Sequence, residues 1–462
     1  MQRRNFLINF ILWILSFVFG YKIGNQDHSQ TNIIRDENGT LSNSFNFKVL
    51  NEKIDDIAIN VKEFGAKSDG TDSTQAFIDA RKKSKIIFVP YGTFIVDNLS
   101  LQDVVLVGNG TLKWKGASTS FMLELKGRCI IEGLTFDGNG PVQMENHKPA
   151  IKLTRANKTT ICQNAFTNFK GKVIVSDLAD SPNIQVFNNR FENCGTVKGC
   201  DVLTVRSSNW LINGNFFSNI GDGHCIRLGL YNYDSKKNKV EQVTVSDNQF
   251  KNTQHVGVTC ELNTCNVLII GNIFDELDQA IKCESAGNTV SEITVSQNII
   301  RNIKLETALH LSVEKVKFTN NRCYNLANGP YFGEYFDCSH NDFYDCGSSS
   351  GEVIGVFGKP KHGIVSNNII VNPKYRGIVV SGGMVTGNQI VNCPDQAIRV
   401  SDSSIIVNNI INGSSEGIYV VSTASNTVIK DNVLLNILGT PISNSNKTSH
   451  QKVIIKENLG TD

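Results

Sequence analysis

The 462-residue sequence predicts an all-β chain folded as a right-handed, single-stranded parallel β-helix, a solenoid closed at its N-terminal end by one short helix. Three observations carry this expectation. The phrase N-x-[apolar]-x-N returns as "NAFTN", "NRFEN", "NFFSN", "NQFKN", "NIIRN", "NRCYN", "NIIVN" and "NQIVN", its first Asn recurring every 20 to 33 residues from Asn164 to Asn458. Such a period marks stacked units, each burying its apolar face only against its neighbours. Between the phrases stand short apolar alternations such as "AIKL", "CIRL", "AIKC" and "ALHL", which have the period of strands. Finally, a helical pattern is confined almost to one place, "DSTQAFIDA", near the start of the repeats. Leucine-rich repeats share the period but need a leucine consensus that is missing here.

At the N-terminus, "MQRRNFLINFILWILSFVFGYKIG" puts Arg3 and Arg4 before an apolar run from Phe6 to Phe19. That run is short for a bilayer-spanning helix of about 20 residues and suits a signal-peptide core, although no A-x-A cleavage site follows it. Residues 1–24 are therefore expected to be a signal peptide or a membrane anchor, residues 25–53 a polar tether, and residues 54–462 the β-helix. The arginines stay inside, so the rest is expected to be exported, either secreted or anchored at the outer face. The membrane is touched only through this segment. Charges nearly cancel, 45 basic against 43 acidic for a net +2, which argues against nucleic acid as a partner.

The helix has a structural purpose. The first coil of a solenoid exposes its core unless something with a polar outer face covers it. Asp72 and Gln75 read as a capping-box pair, and Ala76, Phe77 and Ala80 as the apolar patch of a lid. The asparagines also need no catalytic explanation. They tolerate the left-handed conformation of sharp turns, and their amides are expected to pair between coils about 4.8 Å apart. Phe166, Phe191, Phe217, Phe250, Phe274 and Ile300 should then stack inside. The twelve cysteines read chiefly as buried thiols, since Cys260 and Cys283 share an inward column with Leu228 and Leu311. Pairing of Cys194 with Cys200, or of Cys260 with Cys265, stays open. No C-x-x-C is present, which leaves a zinc site without support.

The pattern "INVKEFGAKSDGTDSTQAFIDA...IIFVPYGTFIV...VVLVGNGTLKW" resembles the N-terminal region of the pectate-lyase-like superfamily, which includes polygalacturonase-type glycoside hydrolases and phage tailspike depolymerases. The resemblance implies a β-helix in contact with carbohydrate. It does not imply one reaction, because such relatives include hydrolases, lyases, epimerases and binding proteins. "DGHCIRLG" looks somewhat like the polygalacturonase Gly-His-Gly segment and "AIKC" like its Arg-Ile-Lys. Here, however, His224 is followed by Cys225, the Asp-Asp pair is absent, and Lys282 lies two coils beyond His224.

Aligning the strands on inward Leu203, Ile226, Val258, Ile281 and Leu309 gives the outward columns. The first reads Thr204, Arg227, Thr259, Lys282, His310. The second, two residues on, reads Arg206, Gly229, Glu261, Glu284, Ser312, and the strand entrances add Asp201 and His224. Later coils place Gly355, Val379, Arg399 and Tyr419 in the first column, so titratable groups concentrate mid-chain. The candidate catalytic residues are Glu261, Glu284, Asp201 and His224. The candidate substrate contacts are Arg227, Lys282 and His310, with Tyr231 and Tyr233 of "YNYDSKKNK" stacking on sugar rings. The expected partner is an extended polysaccharide held along this groove. Hydrolysis needs two carboxylates, about 5–5.5 Å apart for retention, which adjacent coils bearing Glu261 and Glu284 would supply. Asp201 with Glu261 suits the wider inverting gap, and elimination needs a base with a cation to neutralise a uronate. The competing reading is a non-catalytic carbohydrate-binding or structural β-helix, whose charged columns only keep the sheet soluble. No cofactor is expected, and a calcium site lacks a clear acidic cluster.

Overall fold

In the computed structural model, the described residues run from Ala58 to Gly460, apart from the segments 117–120, 141–147, 177–180, 230–238, 285–289, 306–307, 357–361, 423 and 446–451. The expected export segment and tether lie outside the described residues. Among the described residues there is one α-helix, and no helix is long and apolar enough to cross a membrane.

Each coil has three faces. The strand Ser291–Ser296, for example, is followed by Ile299–Ile303 and then by Leu309–Ser312. First-face strands stack into a 17-stranded sheet. Second- and third-face strands share a 26-stranded sheet, because 12-residue strands such as Gln249–Cys260, Ile273–Glu284 and Gln389–Val400 bend around the corner between them. Neighbouring coils pair parallel and in register: Leu203 faces Ile226, Ile226 faces Val258, Val258 faces Ile281, and Ile281 faces Leu309. This is the right-handed parallel β-helix that the repeat predicts.

Two side-chain stacks run through the core. Phe136, Phe166, Phe191, Phe217, Phe250 and Phe274 lie face over face, with centroids 4.7 to 4.9 Å apart and planes within 11° of parallel. Beside them the first asparagines of the phrases, buried from Asn164 to Asn432, form a continuous ladder that ends on the half-buried Asn458. Asn189 is typical. Its amide nitrogen donates to Ile161 O (2.8 Å), Phe187 O (3.1 Å) and Asn215 Oδ1 (3.0 Å), while its backbone N–H donates to that same Oδ1 (2.9 Å). The left-handed residues are not the ladder asparagines, which corrects the simple expectation. Positive φ falls on the residue before the ladder (Asn188, Asn320, Asn367, Asn408) and on the second Asn of the phrase (Asn168, Asn193, Asn302, Asn325). One asparagine binds the coils together and its neighbours turn the chain.

All twelve cysteines are buried and free, and burial raises the thiols of Cys129, Cys194, Cys225 and Cys346, among others, above their ordinary value. They pack as small apolar residues. The helix Thr74–Lys83 covers the first coil with Ala76, Phe77 and Ala80, and the Phe77 ring meets Phe94 edge-on at 6.3 Å. Its start differs from the expected capping box. Ser73 is the N-cap and makes no side-chain cap bond to the helix. Its hydroxyl instead exchanges hydrogen bonds with the Lys67 backbone, each at 3.2 Å. Asp72 accepts from Thr74 N (2.9 Å) and pairs with Lys115 (3.0 Å), while Gln75 reaches forward to Asp79 (3.0 Å). Gln75 thus faces away from Asp72, which leaves no reciprocal pair.

Two outcomes are expected. Phe77→Ala should cost about 3–5 kcal/mol locally, exposing the first coils to protease near Lys82 and Lys83 before the later coils respond. Limited proteolysis checks this, and simultaneous loss of all coils would contradict a separate lid. Asn189→Asp should destabilise the stack by on the order of 3 kcal/mol, because it removes three donated bonds and buries a charge. Asn193→Asp, at an exposed left-handed position, should stay within about 0.5 kcal/mol. Paired denaturant melts separate the two roles.

Candidate active site

Third-face register brings the outward column together as the sequence implies: Thr204, Arg227, Thr259, Lys282 and His310 are successive partners, and Tyr331 continues the series. Coil spacing therefore sets these groups about 4.8 Å apart along the stack. The charged groups concentrate at the strand entrances, where chain geometry is tight. A Cβ at Gly223 would collide with the Cys200 carbonyl, so glycine lets the turn press against the preceding coil and delivers His224 over Asp201.

Asp201 is the centre of the arrangement, its side chain fully enclosed. Its Oδ1 lies 2.8 Å from His224 Nδ1, and its Oδ2 lies 3.3 Å from both Arg227 Nη1 and Thr204 Oγ1. Burial pushes the Asp201 carboxyl up, but the His224 hydrogen bond and the Arg227 charge outweigh it and hold the group below its ordinary value. An ionised carboxylate only accepts, so Nδ1 of His224 carries the proton that Asp201 receives. The 3.1 Å approach of Arg227 Nη2 to the same Nδ1 is then a contact and not a second hydrogen bond. In the neutral ring, Nε2 is left with its lone pair.

Glu261 is the second component. Its Oε1 stands 3.5 Å from Arg227 Nε, beyond hydrogen-bond geometry, and its buried Oε2 has no partner, nor has Arg227 Nε. Burial raises the Glu261 carboxyl above its ordinary value, and the attractions of Arg227 and His224 do not reverse this. Glu284 on the next coil differs. Its side chain is 48% exposed and tied to Lys282 at 3.0 Å, with His310 Nδ1 at 3.8 Å. The principal influences on Glu261 are burial, Arg227, His224, Asp201 and Lys282; like-charge repulsion from Glu284 is not among them.

Three neighbours escaped the sequence reading. His255 sets its ring 4.5 Å from that of His224, nearly perpendicular, with a buried and unpartnered Nδ1; burial and the His224 charge lower its pKa. Lys172, from the coil before Asp201, is also lowered, by burial and then by Arg206 and Arg227 against the pull of Asp201. Tyr331 packs edge-on against His310 at 6.0 Å, and burial pushes its hydroxyl up to about 12. Extending the strand alignment one coil to "GPYFG" would have found Tyr331. No sequence signal marks His255 or Lys172, which reach the site from turn and strand-entry positions. Tyr231 and Tyr233 lie outside the described residues. Among the described residues, no group of three or more His, Cys, Asp or Glu is placed to hold a metal ion.

A parallel β-helix with an ionisable patch on one outer face defines a broad class of proteins, and comparison narrows it. The family model described as "Rhamnogalacturonase A/epimerase, pectate lyase-like" matches residues 58–270, which contain Asp201, His224, Arg227 and Glu261. A second, described as "Periplasmic copper-binding protein (NosD)", matches residues 287–458. Over residues 58–270 the chain is thus similar to the pectate-lyase-like family. Among solved structures, the bacteriophage phi29 gene product 12 aligns at 14% identity and TM-score 0.60, over 84% of this chain and 69% of that one. A tailspike mutant of E. coli bacteriophage HK620, in complex with a hexasaccharide, aligns at 11% and 0.50, over 81% and 80%. The Streptococcus pneumoniae surface adhesin PfbA aligns at 20% and 0.44, over 84% and 93%. At these identities the first two alignments show a shared fold and no more.

The raised Glu261 carboxyl has a stability signature. Between the unfolded and the folded pKa the native state holds more protons, so stability falls as pH rises through that window. Glu261→Gln should therefore match the parent protein in acid and melt at the same or higher temperature at pH 8. If the parent instead gains stability relative to the Glu261→Gln variant across that range, the Arg227 attraction dominates and the burial argument is wrong.

Proposed function

We propose that the protein is an exported enzyme that cleaves an acidic polysaccharide by elimination, with the glycan lying along the third face of the β-helix. Residues 1–24 serve as signal or anchor and residues 25–53 as tether. The description of the family model over the first coils supports carbohydrate as the substrate class. The observation that carries the chemistry is the 2.8 Å contact between Asp201 and His224 Nδ1, which fixes the proton on Nδ1 and leaves Nε2 of the neutral ring with its lone pair.

In this reading, Nε2 of His224 takes the proton from the carbon next to the uronate carboxylate. The electron pair forms the carbon–carbon double bond as the glycosidic C–O bond breaks, and Glu261, whose proton burial holds to higher pH than usual, gives that proton to the leaving oxygen. Arg227 and Lys282 offset the charge that develops on the carboxylate. Asp201 is a positioning residue that acts through His224. Hydrolysis is less well served, because it needs two carboxylates facing the sugar. Asp201 is enclosed, and Glu284 is engaged by Lys282.

The test is to incubate the chain with a panel of uronate-containing and neutral polysaccharides and follow both reducing ends and the ultraviolet absorbance of unsaturated uronate. Absorbance should appear with an acidic glycan, and His224→Ala should lower its rate by roughly 10²–10⁴, in line with general base contributions. Reducing ends without absorbance would replace elimination by hydrolysis, and retention of glycan without product would leave a binding module.

A further inference from the structure

The corner between the second and third faces carries a notch of about 390 Å³, lined by Glu276, Asn302, Lys304, Asn325, Ala327 and Lys374 among others. That volume falls within the range of ligand-binding clefts, roughly 300–1,000 Å³. Its origin is in the register. Hydrogen bonds from Ala327 N to Ile303 O, Gly347 N to Leu326 O and Lys374 N to Cys346 O carry one corner position through Lys304, Ala327, Gly347 and Lys374 on successive coils. The two lysine backbones thus stand about 14 Å apart along the stack, three coil spacings of about 4.8 Å. Between them the column holds an alanine and a glycine, and Gly347 has φ 100, a left-handed value that other residues rarely adopt. Two near-absent side chains between two lysines leave the gap.

The polar groups around the gap are already oriented. Lys374 folds back over it, its Nζ 3.1 Å from Asn325 Oδ1. Asn325 Nδ2 donates to Asn302 Oδ1 at 3.2 Å, and Asn302 Nδ2 donates to Asp275 Oδ1 at 2.9 Å. The Glu276 carboxylate closes one end. Ala327 stands three residues before the strand Pro330–Phe332 that bears Tyr331, the partner of His310 in the outward column.

We propose that this notch is a second glycan-binding site, which takes a carboxylate-bearing sugar unit of a long chain. Lys374 and Lys304 bind the carboxylate, the asparagine amides and Glu276 meet ring hydroxyls, and Ala327 with Ile303 accepts the apolar face of the ring. The site lies beside the His310–Tyr331 end of the column, so it anchors polymer that extends past the reacting bond. It rests on the acidic-glycan reading for its ligand but not on the elimination chemistry.

The experiment uses the full chain in affinity electrophoresis through gels containing polygalacturonate, alginate or neutral dextran. It compares the parent protein with Lys304→Gln/Lys374→Gln and with Ala327→Leu, which fills the notch and leaves every charge in place. Both variants should bind the acidic polymer roughly tenfold more weakly, the first because it loses the charge-assisted hydrogen bonds and the second because the sugar no longer reaches them, with migration in dextran unchanged. Turnover of short oligomers, where present, should be unaffected. Ala327→Leu retained as strongly as the parent protein would overturn the site, as would a parent protein that no acidic polymer retards. Parent retention with no turnover would leave the notch standing and remove the elimination reading alone.

Discussion

The buried asparagine ladder is the constraint from which the rest follows. Each ladder amide joins its own coil to the next through a shared Oδ1, as Asn298 does with Asn321 and Asn321 with Asn341, all at 3.0 Å. A donor or acceptor left unpaired at such depth costs about 1–3 kcal/mol, so a coil that slipped by one residue would lose several bonds at once. The phenylalanine stack two residues on follows this register. Where the pairing is fixed, the sequence has little freedom, and those positions carry no chemistry.

Freedom returns beyond the second face. The number of residues between a ladder asparagine and the aligned inward residue of the third face changes from coil to coil, as from Asn189 to Leu203, Asn215 to Ile226 and Asn272 to Ile281. The pairing itself shifts between Thr253 and Val256, next to His255. Asp201, His224 and His255 stand in this variable turn or at its exit, and so do Lys304 and Lys374. The rigid ladder fixes where the third-face strands lie, and the variable corner chooses what is presented at their entrances. Functional residues on loops held by a rigid scaffold are the general form of this arrangement.

That division explains how much could be read from sequence. The inward column, the outward column from Thr204 to His310, the phenylalanine stack and the lid residues follow from period and alternation, which the ladder enforces. The capping box failed because the helix starts one residue later, at N-cap Ser73, and Gln75 bonds forward to Asp79. The left-handed positions were displaced because the phrase holds two kinds of asparagine, one bonded inward and one turning outward. His255 and Lys172 could not be read, since turn geometry brings them to Asp201 and no repeat encodes it. The protonation contrast was equally hidden. Asp201 and Glu261 are both carboxylates near Arg227, but only Asp201 has the His224 bond that offsets its burial.

A solvated ion-pair network would also put lysines, arginines and carboxylates on an outer sheet face, so the distinction must come from energetics. Burying a charge is costly, and replacing a buried ion pair by apolar residues of similar volume is often neutral or stabilising. The later coils of this chain make that replacement naturally. In the column that holds Arg227, Lys282 and His310, they place Gly355 and Val379 before Arg399, still paired parallel and in register. Stacking therefore has no need of Asp201 buried beneath His224, or of Glu261 with an oxygen left unpartnered. An enclosed carboxylate and a carboxylate oxygen without a partner carry a burial cost that the apolar coils avoid, and that cost separates this patch from a solvated ion-pair face.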